Sequence, residues 1–586
     1  MKFDNTAIYT DLTDPGLEQD MLAVNSSRVA LAEQATGLDV SKPQKLAAWL
    51  RAYDQADVTL SDIETFTALI LSVDTTVEAA EEIESRCNKL SSELAQSAVP
   101  VADKLALLSD DEFQLLVESD ELQAFKFKLE HERALVAHRL SVGEETLLQK
   151  MAEDGLNAWG EQYFKLAGTI QANIDGEEVG LASAFNQTLS ADRTVRESAW
   201  KGTYDIWSKH QDSVVAGLNA INGWRLNECE RRSNKKEMHY LDVACHQSHI
   251  ERSTLSTLMT TAFENRNIGH RAIKGMLSWN GIEDGKPWDL MAPPKVESDD
   301  VSPIAFDECM KIICEAFAEF DPEMAEFAQM MADKGWIDGE PTPNRATGAF
   351  CDEFFGAGEP RVFMTYDGSM GNVLTLAHEI GHAWHAWLLR DMAHSEKNYP
   401  MTLAETASIF AETIVRQSIL RNATSNAQKR DILWQEAEAA SSLLINIPAR
   451  FEFEQSFVEA RKQSKVSSKA ARSLMHDAWA KWYGDAITEY DDLFWASKLH
   501  FSIADIGFYN YPYLFGYLFS LGVYAQKDKQ GDNFRFAYRE LLRDTGRMTA
   551  EQCIQKHLGR DIRDASFWQD SMDIVNDSIT AFEELI

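Results

Sequence analysis

Residues 374–389, "LTLAHEIGHAWHAWLL", carry two histidines four positions apart with a glutamate directly after the first. On an α-helix, positions i and i+4 lie on one face a turn apart, so His378 and His382 project together. Two imidazoles at that spacing reach one tetrahedral zinc at about 2.0–2.1 Å. Glu379 is rotated off their stripe, beside the position a metal would leave open, where a base for an attacking water belongs. Gly381 removes a side chain that would obstruct the close approach of another element. The bland alternative is a half-exposed helix with charge on its wet face. Three ionisable groups on an otherwise apolar, Trp-containing run make that the weaker reading.

A third ligand is required. His385 lies near the same stripe, but three ligands along one helix strain tetrahedral geometry, so a role behind the ligands or facing substrate is expected. The extension HExxHxxGxxH fails, because His385 takes its Gly position and Leu388 its last His position. Downstream, "YPMTLAETASIFAETIVRQSIL" restarts a helix after Pro400. Glu405 stands 405 − 378 = 27 positions after the first His, and Glu412 seven further on the same face. An antiparallel second helix would bring one carboxylate to the metal and use the other to orient a ligand. Thr402-x-x-Glu405 also reads as a capping box, a purely structural alternative.

The elements that must position these groups are mainly helical. "DIETFTALILSV" and "DEFQLLVESDELQAFKFKLEHERALVAHRL" space apolar residues by three and four among strong helix formers. Asp367, Ser369 and Asn372 are the candidate caps of the motif helix. "ANIDGEEVGL" (172–181) predicts a hairpin around Asp175-Gly176, and "RVFMTY" (361–366) a short strand just before the motif. "SAVPVAD" (97–103) predicts a break after an N-terminal helical pair. Residues 280–303 and 335–350 read as ordered connections, the second stiffened by Pro341 and Pro343. The expected organisation is an N-terminal helical region, 1–190, followed by a catalytic region, 191–586.

Composition bounds the function. A length of 586 residues with 45% hydrophobic content supports more than one folded region. A formal net charge of −37 argues against nucleic acid as a partner. Seven scattered cysteines without a CxxC pair suit reduced thiols, and the polar start and lack of a long apolar run predict a cytoplasmic protein with no membrane partner.

"TLAHEIGHAWH" followed by "LAETASIFAE" resembles the oligoendopeptidase F branch of the thimet-oligopeptidase-like metallopeptidases. That family pairs HExxH with a glutamate in an E-x-x-S context, matched by Glu405 and Ser408. "GAFCDEFFGAGEPRVFMTYDGSM" is similar to its segment before the zinc helix, and "KLHFSIADIGFYNYPYLFGYLFSLGVYA" to its Tyr-rich C-terminal segment. The resemblance is strongest over 335–525, and it also implies an oligoendopeptidase N-terminal domain over roughly 110–185. It implies an almost wholly helical fold with a deep channel between two halves, a small β-element beside the zinc helix, one Zn²⁺ per chain and short unstructured peptides as substrates. His378, His382 and Glu405 would hold the metal and Glu379 would activate water. His500 and two tyrosines, Tyr509 and Tyr517 ahead of Tyr511 and Tyr513, would polarise the scissile carbonyl. "RVFMTY" would either add an extended peptide as an edge strand or only support the zinc helix. A zinc carboxypeptidase and a non-catalytic peptide-binding scaffold remain as rivals. The oligomeric state is left open, a monomer included.

Overall fold

The structure, a computed structural model, describes residues 2–295 and 303–586. The chain folds into two compact units, each assembled from three separated segments. One comprises Met1–Val136, Ser302–Asn422 and Gln526–Gly559; the other comprises Ala137–Val301, Ala423–Ala525 and Arg560–Ile586. Both are built mainly of helices, as the periodicity predicts. Among the described residues no helix is long and apolar enough to cross a membrane.

In the second unit, the predicted hairpin is formed by β1 (Gln171–Ile174) and β2 (Glu177–Gly180), paired antiparallel. Asp175 and Gly176 both have positive φ, 52° and 93°, which is the backbone a two-residue turn needs to match the strand twist. The hairpin rests on a long helix, Arg193–Arg232, capped by the Asp192 carboxylate accepting from Thr194 N. A Cβ at Gly202 would lie 2.5 Å from Asn173 O, so this contact requires glycine. The 280–295 stretch is pinned by Asp289, which accepts from Arg193 and Arg196; the rest of the expected connection, 296–302, lies outside the described residues.

The first unit departs from expectation at Pro100. No break occurs there: a single helix runs from Glu78 to Leu107 with the proline inside it. Losing one backbone hydrogen bond costs about 3 kcal/mol, but Ser97, Val101 and Leu105 are all buried along one face, and that packing holds the helix continuous. The second departure concerns the small sheet. It has the order β3 (Ile337–Asp338), β5 (Glu359–Phe363), β4 (Phe350–Phe354). β5 is thus the middle strand, parallel to β3 and antiparallel to β4, and Met364 N and Tyr366 N continue donating to Asp338 O and Gly339 O. "RVFMTY" therefore has no free edge for a peptide; among the described strands β3 and β4 take the two outer positions.

The motif helix spans Met370–Leu389 and starts at Ser369, whose Oγ accepts from Asn372 N at 3.2 Å. Asn372 Oδ1 in turn accepts from Asp367 N at 2.6 Å, so all three candidate caps take part in one start signal. The helix is buried on nearly every side, among them by Val373, Leu376, Ile380, Trp384 and Leu388. The carboxylate helix, Met401–Asn422, crosses it and turns small residues inward. At the crossing a Cβ on Gly381 would meet Ser408 Cα at 2.6 Å, Ala407 O at 2.7 Å and Ala411 Cβ at 2.8 Å. The backbone of one helix fills the space a side chain would need. Gly381→Ala is therefore expected to cost roughly 1–3 kcal/mol by overpacking and to lower bound metal after dialysis. Urea denaturation together with metal analysis of the dialysed protein checks both.

Candidate active site

The crossing brings together the residues the sequence singled out. His378, His382 and Glu405 each offer one ligand atom, and those atoms lie within 4.8 Å of one another. Glu405 Oε2 is 3.2 Å from His378 Nε2 and 3.6 Å from His382 Nε2, while the two rings sit edge to face with centroids 5.0 Å apart. Ser408 Oγ donates to the same Glu405 oxygen at 2.7 Å, one turn along the helix, and fixes its direction. Thr402 lies inside the carboxylate helix, not at its cap, so the capping-box alternative for Glu405 is not what forms.

Behind the ligands, Glu412 Oε2 lies 3.2 Å from His378 Nδ1. It is the second carboxylate that the seven-residue spacing predicts, and Arg416 pairs with its other oxygen. This contact determines which ring nitrogen of His378 faces Glu405. Burial opposes charge on His378, yet its hydrogen bonds to Glu405 and Glu412 outweigh it and push the imidazole up to about 10. Burial alone dominates at His382 and pushes it down to about 4. Two imidazoles and a carboxylate thus surround a point where positive charge is stabilised. Two neutral nitrogens and one carboxylate oxygen converging on such a point form a donor set suited to a divalent zinc-like ion.

Glu379 is buried, 6% exposed, and its Oε2 has no hydrogen-bond partner. Burial, followed by the opposing fields of His378 and Glu405, pushes it up to about 7. A buried carboxylate left with an idle oxygen costs stability, which is a pattern of functional groups more than of scaffolding. Cys351 of β4 lies within electrostatic reach of Glu379, placing the outer strand alongside this carboxylate.

His385 behaves otherwise than expected. It is fully buried; its Nε2 lies 2.9 Å from Thr545 Oγ1 and 3.1 Å from Leu542 O, and its ring stacks on Tyr399 at 4.2 Å. It therefore ties the motif helix to the C-terminal end of the helix Phe534–Asp544 and to Thr545 just beyond it. No local signal reveals this, because the partners lie 157 and 160 positions away. That segment is anchored in turn by Asp544, 1% exposed, which accepts from Arg547, Lys556 and His557.

His500, Tyr509 and Tyr517 belong to the second unit. His500 sits in the short turn Leu499–Phe501, its ring 5.7 Å from Tyr509 and 6.0 Å from Tyr513. Burial, then the charges of Arg450 and Lys498, push it down to about 4, so it is neutral near pH 7. Tyr509 precedes the helix Tyr511–Tyr524, following Phe508 at a positive φ of 59°. Tyr517 is in the body of that helix and 3% exposed. Tyr511 is bonded to Ala244 O and Ser248 Oγ. The ring grouping in the structure is thus His500 with Tyr509 and Tyr513; Tyr517 is packed in the helix interior.

An HExxH helix crossed by a Glu-bearing helix, in a mainly helical chain, defines a class: helical metallopeptidases. The family model for peptidase family M3 matches residues 186–574, and that for oligopeptidase F matches 104–171. The chain belongs to peptidase family M3 and is a metalloendopeptidase. It is 26% identical over 463 residues to the group B oligopeptidase PepB of Streptococcus agalactiae, covering 76% of this chain and 73% of that one. It is 22% identical over 602 residues to an oligoendopeptidase F homologue of Lactococcus lactis, covering 100% and 97%. A crystal structure from Chlamydophila abortus superposes with a TM-score of 0.87 at 21% identity, over 100% of this chain and 98% of that one. Oligoendopeptidase F from Enterococcus faecium superposes with a TM-score of 0.71 at 18% identity, over 97% and 98%.

Two outcomes check these contacts. Glu412→Gln is expected to weaken metal binding about 10- to 100-fold while leaving the fold intact, as read by competition with a chelator. At Asp544, burial opposes ionisation but the donors of His557 and Lys556 outweigh it and hold the carboxyl well below its usual range. A depressed carboxyl pKa adds stability that is full above about pH 4 and is lost as pH falls further. Asp544→Asn should cost roughly 1–3 kcal/mol near neutrality, and the deficit should shrink below pH 4 in urea titrations run against the parent protein.

Proposed function

We propose that the chain is a zinc-dependent endopeptidase that hydrolyses internal bonds of short unstructured oligopeptides. The observation that carries this reading is the convergence of His378, His382 and Glu405 on one point with Glu379 beside it. The donor set fits zinc in type and number, and leaves a corner for substrate or water. When bound there, zinc would polarise water and the scissile carbonyl as a Lewis acid. Single zinc occupancy and peptide substrates are part of the proposal, as is the linear division into a 1–190 helical region and a 191–586 catalytic region.

The chain's own groups account for the proton traffic. Glu379 Oε2, idle in the resting site, takes a proton from the attacking water and returns it to the leaving amine. A carboxyl already raised by burial suits both halves of that exchange near neutral pH. Glu412 keeps His378 in one tautomer throughout. His500 and a tyrosine hydroxyl, from Tyr509 or Tyr517, donate to the carbonyl oxygen as it gains charge; one such donor is worth about 3–4 kcal/mol in other hydrolases. The neutral state of His500 leaves it an N–H for that purpose without importing a full charge. An extended peptide pairing by its main chain along β4, an outer strand within electrostatic reach of Glu379, would be recognised without regard to side chains.

Glu379→Gln is expected to keep stoichiometric zinc and lose at least about a thousandfold in kcat. Peptides blocked at both ends should still be cut internally by the parent enzyme, as read by mass spectrometry. Exclusive trimming of unblocked C-termini would contradict the endopeptidase reading, and full activity of the Glu379→Gln protein would contradict the mechanism.

A further inference from the structure

Among the described residues of the second unit, two neighbouring cations, Arg450 and Lys498, have no carboxylate within ion-pair distance. Arg450, on the helix Ile447–Gln463, and Lys498, just before the His500 turn, approach the same Phe494 ring. Arg450 Cζ is 5.2 Å and Lys498 Nζ 4.7 Å from its centroid. The partners of Arg450 are neutral amides: Nε donates to Asn446 Oδ1 at 2.8 Å and Nη1 to Asn510 Oδ1 at 3.3 Å. Among the described residues the Lys498 ammonium has no hydrogen-bond acceptor, only the Phe494 ring face. Asp491, whose charge Lys498 feels, is already engaged by Trp200 Nε1 and Leu493 N at 3.1 Å each.

With 93 acidic against 56 basic residues, carboxylates are in excess, and several arginines of the same unit take them. Arg232 pairs with Glu145, Arg271 with Glu583 and Arg472 with Asp492, all within 2.8 Å. Other arginines without a carboxylate partner among the described residues of this unit, Arg225 and Arg461, donate to backbone carbonyls instead; Arg450 and Lys498 differ in sharing one ring side by side. Arg450 and Lys498 are half-buried, and burial first, then mutual repulsion, pushes the lysine down to about 8. A pair of partly desolvated cations with no carboxylate in hydrogen-bond contact is costly unless a mobile anion completes it. The guanidinium fork beside an ammonium suits a carboxylate.

We propose that Arg450 and Lys498 form a carboxylate pocket for the peptide substrate, occupied by its free C-terminal α-carboxylate. Every short peptide carries that group whatever its sequence, so a terminal pocket is compatible with broad side-chain tolerance. In a protein of net charge −37, an anionic terminus is disfavoured by the overall field, and a local cation pair reverses the sign where it matters. Lys498 lies two residues before His500, which adjoins the carboxylate pocket to the group proposed to meet the scissile carbonyl. The inference rests on that peptidase reading.

The test compares one peptide as its free acid, the same peptide amidated, and amidated versions with a single Glu moved along the chain. Binding to the zinc-loaded Glu379→Gln protein is read by calorimetry, and kcat/KM on the active enzyme by mass spectrometry. The acid is expected to bind about tenfold tighter than the amide, with the difference in KM and not in kcat. Lys498→Met and Arg450→Met should each bring the ratio to within about twofold of one, Lys498→Arg should restore it, and Lys469→Met, at an exposed position, should leave it intact. Equal binding of acid and amide, or a ratio that survives both methionine variants, overturns the pocket. Recovery of affinity by an internal Glu, without preference for the free terminus, overturns the terminal assignment. Cleavage without an acid–amide difference leaves the peptidase reading standing and removes the pocket; a binding difference without any cleavage does the reverse.

Discussion

At Gly381 the backbones of two helices come into contact, because there is no Cβ to hold them apart. The rest of the site depends on that approach. Only at this separation do Ala407, Ser408 and Ala411 nest against the motif helix, so that Glu405, one turn before Ser408, reaches the imidazoles of His378 and His382. The surrounding structure reinforces the crossing from both sides. β5 is paired on both edges beneath the motif helix, and His385 fastens that helix to Leu542 and Thr545. A metal site drawn from two helices needs its ligands held to a fraction of an ångström, and rigid buried elements provide that better than loops.

Electrostatics then assigns the roles. Three glutamates, Glu379, Glu405 and Glu412, lie around the same two imidazoles but differ in their partners. Glu405 is held by Ser408 and both histidines, and Glu412 by Arg416 and His378. Glu379 has an oxygen bonded to nothing. Burial raises Glu379; it also opposes ionisation at Glu405 and Glu412, but the His378 hydrogen bond at the first and the Arg416 charge at the second outweigh it and hold both below the usual range. Groups of one residue type are driven apart in acidity by their surroundings, which separates the metal-holding carboxylate and its supporting partner from the proton carrier.

Much of this was legible in the linear chain because the constraints are local. The i, i+4 histidines, the Ser369 cap, the Asp175-Gly176 turn and the seven-residue step from Glu405 to Glu412 each follow from helix or turn geometry over a few residues. Gly381 was readable as a place of close approach, though not the Ser408 backbone that fills it. What escaped the sequence depends on distant packing. Pro100 looked like a stop, and buried neighbours keep its helix running. "RVFMTY" looked like an edge, but the hairpin neighbour β4 covers one side and β3, more than 20 residues earlier, covers the other. His385 shares the ligand stripe but is claimed by a segment more than 150 residues downstream. The same applies to Arg450 and Lys498, whose lack of acidic partners has no signature in sequence.

The central claim is that two helices crossing at Gly381 deliver three ligands to one ion. Anomalous diffraction at the zinc edge, from crystals of the purified protein, tests it most directly. The account predicts one strong peak about 2.0–2.1 Å from His378 Nε2 and His382 Nε2 and about 2.0–2.2 Å from a Glu405 oxygen. A peak held by other residues, or a fully occupied zinc with Glu405 turned away from both imidazoles, would contradict it.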